Sequence, residues 1–290
     1  MGRRIVLLGG TEAASPIAAA LAELGHVASV LEPGPDLFDQ LRLLAPEVVF
    51  HAHDDRSGRL QGLLELLGIA YTHSGVLATA LAADRHQAKI MLRAAGVPVT
   101  DHLLVARAEA AQAHQLPPPY IVKPAMAGPG PGPIAVLSGH DRPPQELLEP
   151  SWGLVEAVMV ERFVPGRSLF VAVMGDVALG VSEWLGEEAE EADAPAKIQL
   201  LTPARTSPNI YEKLQKISLK AHEVLGCRGV TEIAFRLDDR AAGESGLVCL
   251  GVNTQPSLDA QSPVPEQARY AGHSFADQLA WMVEDASCNR

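Results

Sequence analysis

Aromatic residues are scarce in this sequence. They make up 4% of its 290 residues, so any core must be built mainly from aliphatic side chains. Hydrophobic residues nevertheless reach 47%, a proportion typical of a folded globular protein rather than of a disordered chain. A chain of this length can bury a substantial core and form two or three subdomains.

Cysteines and long apolar runs are also few. The three cysteines are far apart and form neither a Cys-x-x-Cys nor a Cys/His zinc pattern, and a sparse, odd count is typical of a reducing compartment. The first apolar run is about five residues long, too short for a signal peptide. No run reaches the roughly 18–20 residues of a membrane span. We therefore expect a cytoplasmic protein.

The chain lacks an excess of positive charge. It has 23 Lys and Arg residues against 35 Asp and Glu residues, and its formal net charge is −12. Proteins that bind nucleic acid or anionic membranes need a basic surface for most of their affinity. We therefore expect small-molecule ligands, and neither nucleic acid nor a membrane as a partner.

The first part of the chain has the pattern of a parallel α/β unit. Arg4–Leu8 is a continuous apolar run, Ser15–Leu24 predicts a helix, and Val27–Leu31 predicts a second strand. A third strand, Glu47–Ala52, carries His51 at its carboxyl end, where ligands bind in open α/β sheets. The pattern alone leaves a structural role and a ligand-binding role for His51 equally open.

A lysine stands near the end of a short apolar strand, Tyr120–Pro124. Lys123 can be a surface residue whose stem packs on apolar neighbours, or it can present its charge to a ligand. A glycine-rich segment, Ala125–Pro133, follows, and such loops can wrap phosphates with backbone N–H groups. This one contains three prolines, which have no N–H, and no hydroxyl.

The last third of the chain predicts a long helix followed by a strand pair. Ser207 and Pro208 begin the helix, which ends near Leu225. The segment Gly226–Gln261 then has the pattern of a strand, a turn, a second strand and a loop. Upstream of the helix, the acidic stretch Glu183–Ala196 predicts a mobile, solvated loop.

Seven segments along the chain resemble the D-alanine–D-alanine ligases of the ATP-grasp superfamily. Each is weakly specific alone, but together they follow the family's order. They are Val6–Thr11, Leu60–Arg85, Ala94–Val99, Ile121–Pro124, Val160–Gly166, Gly226–Gly229 and Val252–Phe275. The resemblance implies an α/β (α+β) three-domain ATP-grasp fold and a homodimer. It places a Rossmann-like parallel-sheet domain at 1–86, a small central subdomain at 87–175 and a C-terminal subdomain at 176–290.

The resemblance also implies a reaction, part of cell-wall precursor synthesis. In the family, ATP phosphorylates the carboxylate of one D-alanine, and the amine of a second D-alanine attacks the acyl phosphate. Mg²⁺ neutralises the charge that develops on the transferred phosphoryl group. ATP is expected between the central and the C-terminal domain.

Several positions agree with the family's pattern. Lys123 and Lys197 fall at its phosphate-contacting lysines, and Glu161 and Val164 fall at the hinge that contacts adenine. The other agreements are His51 near the first D-alanine, Ser262 near the substrate carboxylate and Asn253 as a magnesium ligand.

Other positions depart from it. Glu232 stands in place of the catalytic arginine, a reversal of charge, and Ala234 and Gly251 replace two metal-binding carboxylates. Magnesium needs oxygen ligands in a fixed geometry, and losing one transition-state charge donor typically costs on the order of 10²–10³ in rate. Further departures are Pro16 and Arg56 at acidic positions, Pro129 and Gly130 at the loop serines, and Ser168 at the ribose-binding glutamate.

These residues support three hypotheses. The first is a catalytically impaired pseudoenzyme of the family that binds ATP weakly and lacks a competent Mg²⁺ site. The second is an active ATP-dependent carboxylate–amine ligase, which joins D-alanine or related amino acids and has rebuilt its metal site from Glu232 and Asp259. The third is a protein that binds a small molecule near His51 without a nucleotide.

Overall fold

The structure, a computed structural model, describes residues 2–52, 56–137, 142–186, 198–241 and 246–289. The described strands form three sheets, one parallel and two antiparallel. This arrangement confirms the predicted α/β fold class. None of the described helices is both long enough and apolar enough to cross a membrane.

The first sheet is parallel, with the strand order β2-β1-β3-β4. Its elements in chain order are β1 (Arg4–Leu8), α1 (Thr11–Glu23), β2 (Val27–Leu31), α2 (Leu37–Leu44), β3 (Val48–His51), α3 (Arg59–Leu67), β4 (Ala70–Tyr71) and α4 (Val76–Ala83). Strands β1 and β3 are buried on both faces, since Leu7 and Phe50 belong to one apolar cluster while Leu8 and Val49 belong to another. The predicted βαβ unit is confirmed.

A close backbone approach fixes the end of this sheet. Gly9 follows β1, and a Cβ atom built on it would lie 2.5 Å from the carbonyl oxygen of Ala52, which follows β3. A side chain at this position would therefore force the two strand ends apart. The neighbouring Gly10 has open space around it.

The second sheet is antiparallel, with the order β5-β8-β6-β7. It follows α5 (Arg85–Ala94) and contains β5 (His102–Ala106), α6 (Arg107–Gln112), β6 (Tyr120–Pro124), β7 (Ile134–Val136) and β8 (Ala157–Arg162). Its core includes Tyr120, Val122, Val160 and Trp152. Strand β8 begins at Ala157, because the residues before it form a short 3₁₀ helix, Pro150–Trp152, and a turn.

The third sheet has the order β12-β11-β9-β13-β14, and β10 pairs with β9 at one side. Its elements are β9 (Arg167–Met174), β10 (Val177–Ala178), β11 (Ser182–Gly186), β12 (Ile198–Leu201), α7 (Pro208–Val224), β13 (Val230–Leu237), β14 (Leu247–Asn253), α8 (Pro263–Tyr270) and α9 (Phe275–Asp285). One face packs on α7 and α5, where Val171, Ile233, Phe235 and Leu214 are fully buried. The other face contacts the first sheet.

Strand β11 corrects the prediction of a loop over Glu183–Ala196. Residues 182–186 form a paired strand, whereas 187–196 lie outside the described residues. The strand has an acidic residue on a buried face, because both carboxylate oxygens of Glu183 accept hydrogen bonds from Arg167 at 3.1 and 3.0 Å. The sequence does not show that Glu183 has a distant partner, so its charge indicated a solvated loop and not a buried strand position.

Two connections tie the second sheet to the third. The chain passes directly from β8 through residues 163–166 into β9. In addition, Val99 forms an isolated parallel bridge with Cys249 of β14, and the Cys249 N–H donates to Pro98 at 2.7 Å. Strand β9 lies within 87–175 yet pairs in the third sheet, so the predicted domain boundaries stay predictions.

Candidate functional site

A cavity of about 1120 Å³ lies where the first sheet meets the third. His51 and Arg56 line it from the first sheet and the loop that follows. From the third sheet and the segment after it come Glu232, Asn253 and Ser262. The structure therefore gathers four of the predicted site residues, His51, Glu232, Asn253 and Ser262, around one space.

The floor of the cavity is the face of the third sheet that α7 does not cover. Glu232 lies opposite Asn253, and Ala234 lies opposite Gly251. Residues paired across antiparallel strands project from the same face, so a carboxylate and an amide stand beside two positions without functional groups. Phe170 is paired with Ala234 on the other side, and its ring lies 5.7 Å from that of Trp184.

The Glu232 carboxyl is unusual for a cavity residue. Burial raises its pKa to about 7, and the positive charge of Arg56 opposes that shift without cancelling it. Near neutral pH this group is therefore divided between its protonated and its ionised form. Arg56 and Glu232 both line the cavity. A positively charged side chain and an acidic one therefore face the same space.

The residues of this face do not fit a Mg²⁺ site. Magnesium requires several oxygen ligands, usually including carboxylates, and neither Ala234 nor Gly251 offers a side-chain oxygen. The Oδ1 atom of Asn253 accepts a hydrogen bond from the Gln255 N–H at 3.1 Å. Within the described ranges, no group of three or more His, Cys, Asp or Glu residues is arranged to hold a metal ion.

Three residues of the loop after β14, Ser257, Asp259 and Ser262, are hydrogen-bonded to one another. The Ser262 hydroxyl lies 2.9 Å from the Ser257 carbonyl and 2.6 Å from the Asp259 carbonyl. The Asp259 carboxylate accepts from the Ser257 hydroxyl at 2.8 Å. The predicted contact between Ser262 and a substrate stays a prediction, and a ligand there must compete with this turn.

His51 ends β3, as predicted, and is 4% exposed. Its ring packs edge-on against Tyr71 and His73, at centroid distances of 6.1 and 6.2 Å. It thus belongs to a buried aromatic cluster and also lines the cavity. Both roles that the sequence left open are compatible with this position.

Lys123 and Glu161 form a second, separate cluster on the second sheet. The Lys123 Nζ atom lies 2.5 Å from Glu161 Oε1, and Lys89 Nζ lies 3.1 Å from Glu161 Oε2. Thr100 links the group, accepting from Lys89 at 2.8 Å and donating to Glu161 at 2.9 Å. One carboxylate is thus shared by the buried ammonium group of Lys89 and the partly buried one of Lys123.

The charges of this cluster are strongly coupled. Burial favours the protonated form of Glu161, but the ammonium groups of Lys89 and Lys123 outweigh it and lower its pKa to about 2. Burial lowers the pKa of Lys123, and Glu161 offsets part of that shift. The lowered pKa of Glu161 means that its carboxylate is ionised, and its negative charge favours the protonated form of Lys123.

Neither Lys89 nor Arg85 was predicted from the sequence as a site residue. Arg85 donates to the carbonyls of Pro124 and Met126 at 2.6 and 2.9 Å, and so holds the start of the glycine-rich segment. Lys89 is 1% exposed. Their spacing on α5, four residues apart, places both on one helix face, and this was the available signal.

Three of the four residues predicted to bind the nucleotide lie in the described part of the structure. Lys123 and Glu161 contact each other, and Val164 lies in the connection between β8 and β9. Lys197 lies outside the described residues. Neither Lys123 nor Glu161 lines the cavity.

The comparisons with known proteins agree with one another. The family described as "D-ala D-ala ligase C-terminus" matches residues 91–284. The chain is 45% identical to a D-alanine–D-alanine ligase of Methylobacterium radiotolerans, with 98% of each protein covered. It is 46% identical to the D-alanine–D-alanine ligase of Xanthobacter autotrophicus, covering 94% of the chain and 92% of that protein.

Two crystal structures of the D-alanine–D-alanine ligase from Bacillus anthracis share the fold. They superpose with TM-scores of 0.75 and 0.78 at 20% and 18% identity, covering 98% of this chain and 97% of theirs. The first of them is a complex with ATP. The family match and the extent of the sequence identity show that this chain belongs to the D-alanine–D-alanine ligase family.

Proposed function

We propose that this chain is an ATP-grasp protein that binds a nucleotide but is impaired in ligation, a pseudoenzyme of its family. The observation that carries this proposal is the face of β13 and β14 on the cavity side. It presents Glu232, Ala234 and Gly251 at the positions where the family resemblance implies an arginine and two metal carboxylates. An anionic transition state at this face meets an acid in place of a fixed cation.

The nucleotide site is proposed at the second sheet and its connection to the third. Lys123, and Lys197 upstream of β12, supply positive charge for the phosphates, while Glu161 and Val164 belong to the adenine hinge. Glu161 also holds the Lys123 ammonium at 2.5 Å. The Bacillus anthracis ligase was solved with ATP, which supports ATP as the nucleotide here.

The residues explain why ligation should be weak. When bound, Mg²⁺ supplies charge neutralisation for phosphoryl transfer, but Ala234 and Gly251 offer it no ligand. Each missing transition-state charge donor typically costs on the order of 10²–10³ in rate. Several are replaced together at this site, so the loss should be large.

An active D-alanine–D-alanine ligase that serves peptidoglycan synthesis is the second candidate. The observation in its favour is the 43–46% identity to ligases over nearly the whole chain. In this case His51 and Ser262 would contact the amino-acid substrates, and Glu232 with Asp259 would rebuild a metal site. The cavity of about 1120 Å³ is large enough for two small amino acids.

We extend the proposal to the assembly and the location of the protein. The family resemblance supports a homodimer with domains at 1–86, 87–175 and 176–290. The sparse cysteines and the family support the cytoplasm.

Two measurements on the purified chain separate the candidates. Calorimetric titration with ATP tests the nucleotide site, and phosphate release with ATP, Mg²⁺ and D-alanine tests ligation. We expect ATP binding and phosphate release at the level of a blank without D-alanine. Turnover that depends on D-alanine would establish the active ligase, and binding of D-alanine without any nucleotide affinity would point to the small-molecule binder.

A further inference from the structure

The aromatic rings of Phe170 and Trp184 lie on the same sheet face as Glu232. Phe170 is paired with Ser182 of β11, and Trp184 follows two residues later, so both side chains project from that face. Glu232 is paired with Ala172, two residues from Phe170. This diagonal relationship separates the two positions by about 7–8 Å, which a short alkyl chain can span. Glu232 and the two aromatic residues all line the cavity.

The Glu232 carboxyl forms no hydrogen bond or ion pair with any residue in the described part of the chain. Arg56 acts on it by charge only, and burial raises the pKa of the carboxyl to about 7. Polar groups in buried surroundings normally have hydrogen-bond partners. An acid without one gains most from a ligand that carries positive charge and donates hydrogen bonds.

The other charged or titratable side chains around the cavity have the sign and the contacts to favour a cation. Those in the described part of the chain are His51, Arg56, Asp259, Glu266 and Arg269. Arg269 donates to the Glu266 carboxylate, and the Asp259 carboxylate accepts from the Ser257 hydroxyl at 2.8 Å. With Glu232 ionised, three carboxylates face two guanidinium groups, so the cavity favours a cation over an anion.

The rest of the face suits an apolar group attached to that cation. Aromatic rings pack against alkyl carbons and attract cations that approach their faces. Beside them, Ala234 carries only a methyl group, and a Cβ atom built on Gly251 would meet no atom within 4 Å. The sheet therefore offers an acidic position, an aromatic wall and open space next to each other.

We propose that this cavity binds a small primary amine with a short apolar chain. The ammonium group of the amine pairs with the Glu232 carboxylate, and its carbon chain packs against Phe170 and Trp184. This inference goes beyond the proposed nucleotide binding and does not depend on it, because neither Lys123 nor Glu161 lines the cavity.

The test is a calorimetric titration of the full chain at pH 8 with three probes of equal chain length. These are n-butylamine, the neutral n-butanol and the anionic butyrate. We expect n-butylamine to bind at least about tenfold more tightly than n-butanol, as for the gain of a charge-assisted hydrogen bond. Butyrate should bind more weakly than either, since its charge has the same sign as that of Glu232.

Variants assign the preference to Glu232 and to the aromatic wall. Glu232→Gln should remove the roughly tenfold advantage of n-butylamine over n-butanol. Trp184→Leu should weaken both probes while keeping their ratio, because it removes apolar contact and leaves the acid in place. Glu212→Gln is the matched control, since it removes an exposed carboxylate on α7. Thermal unfolding verifies that each variant is folded.

The pH dependence gives a readout specific to the Glu232 carboxyl. An alkylammonium group stays protonated from pH 6 to pH 8, whereas the carboxyl, with its pKa raised by burial to about 7, must release a proton to pair with it. Amine affinity should therefore rise about tenfold from pH 6 to pH 8. Glu232→Gln should abolish this rise, whereas titration of His51 or another acid would preserve it.

Each other result counts against the proposal. Equal binding of n-butylamine and n-butanol, tighter binding of butyrate, or a Glu232→Gln variant that keeps the amine preference would overturn it. If the chain binds ATP but not n-butylamine, this inference fails and the proposed nucleotide binding stands. Amine binding with the expected pH dependence and no affinity for ATP would support this inference and overturn the proposed function.

Discussion

Glu232 of β13 lies directly opposite Asn253 of β14 in the antiparallel ladder of the third sheet. The pair places an acid whose pKa is raised to about 7 by burial beside a neutral amide at the cavity floor. The next pair on that face, Ala234 and Gly251, offers no charge. The face thus carries one carboxyl and one amide side by side, and the neighbouring pair has no functional group.

The raised pKa of Glu232 leads to a prediction about stability and pH. Because the folded protein holds the proton more tightly than the unfolded chain, stability from this group is full below about pH 4.5 and is lost as pH rises through about 7. The free energy of unfolding of the Glu232→Gln variant should therefore rise relative to that of the parent protein as pH increases. The difference should reach on the order of 1–3 kcal/mol at pH 8.

Urea unfolding at pH 5 and pH 8 measures this difference. Glu212→Gln is the control, because Glu212 is exposed on α7 and forms a surface pair with Lys216. Its replacement should not reproduce the gain at pH 8. If the Glu232→Gln variant and the parent protein differed equally in unfolding free energy at both pH values, the prediction would be wrong. Ionisation of the Glu232 carboxyl would then not destabilise the folded protein.

Lys89 should be essential for the stability of the second sheet. Lys89→Met removes a 1% exposed ammonium from Glu161 and Thr100. Breaking a buried ion pair by removing one partner costs about 3 kcal/mol or more. Chemical denaturation measures the change, and Lys216→Met on α7 is the matched control.

The control should cost less than about 0.5 kcal/mol, since Lys216 and Glu212 form an exposed pair. Equal losses for the two variants would contradict the prediction. Such a result would mean that Lys123 alone satisfies the Glu161 carboxylate.

Lys123 should decide nucleotide affinity. Lys123→Ala removes the ammonium that Glu161 holds at 2.5 Å, and we expect ATP affinity to fall at least about tenfold, as for the loss of a charge-assisted hydrogen bond. Calorimetric titration measures the change, with Lys220→Ala on the exposed side of α7 as the control. Unchanged affinity in Lys123→Ala would mean that the nucleotide binds elsewhere.

Gly9 should tolerate no side chain. Gly9→Ala would place a Cβ atom 2.5 Å from the Ala52 carbonyl oxygen, and overpacking of this kind costs about 1–3 kcal/mol. Gly10→Ala is a matched control, since the adjacent position has open space and an extended backbone. Thermal unfolding of the two variants should separate them, and equal midpoints would contradict the prediction.

The sequence predicts most of the fold because many elements have uninterrupted patterns. Strand β1 and helix α7 were predicted close to their observed bounds, and the segment Gly226–Gln261, predicted as a strand pair, contains β13 and β14. Strand β11 was missed because Glu183 is buried by a partner, Arg167, that lies 16 residues upstream. Helix α8 was not predicted, since Pro263 and Pro265 in its first turn read as a loop.

The site was predicted less completely. Resemblance identified Glu232, Asn253 and Lys123 one at a time, but their roles stay predictions. The association of Arg56, Arg85 and Lys89 with them depends on how separate elements meet in space. The four-residue spacing of Arg85 and Lys89 indicates a shared helix face, but no local pattern indicates which residues of other elements they meet.

The bridge between Val99 and Cys249 has a mechanical consequence. The second sheet is attached to the third by the covalent connection at 163–166 and by this hydrogen-bonded contact. Val99 and residues 163–166 are far apart in the sequence, so the second sheet, which carries Lys123, is fixed to the third sheet at two independent places.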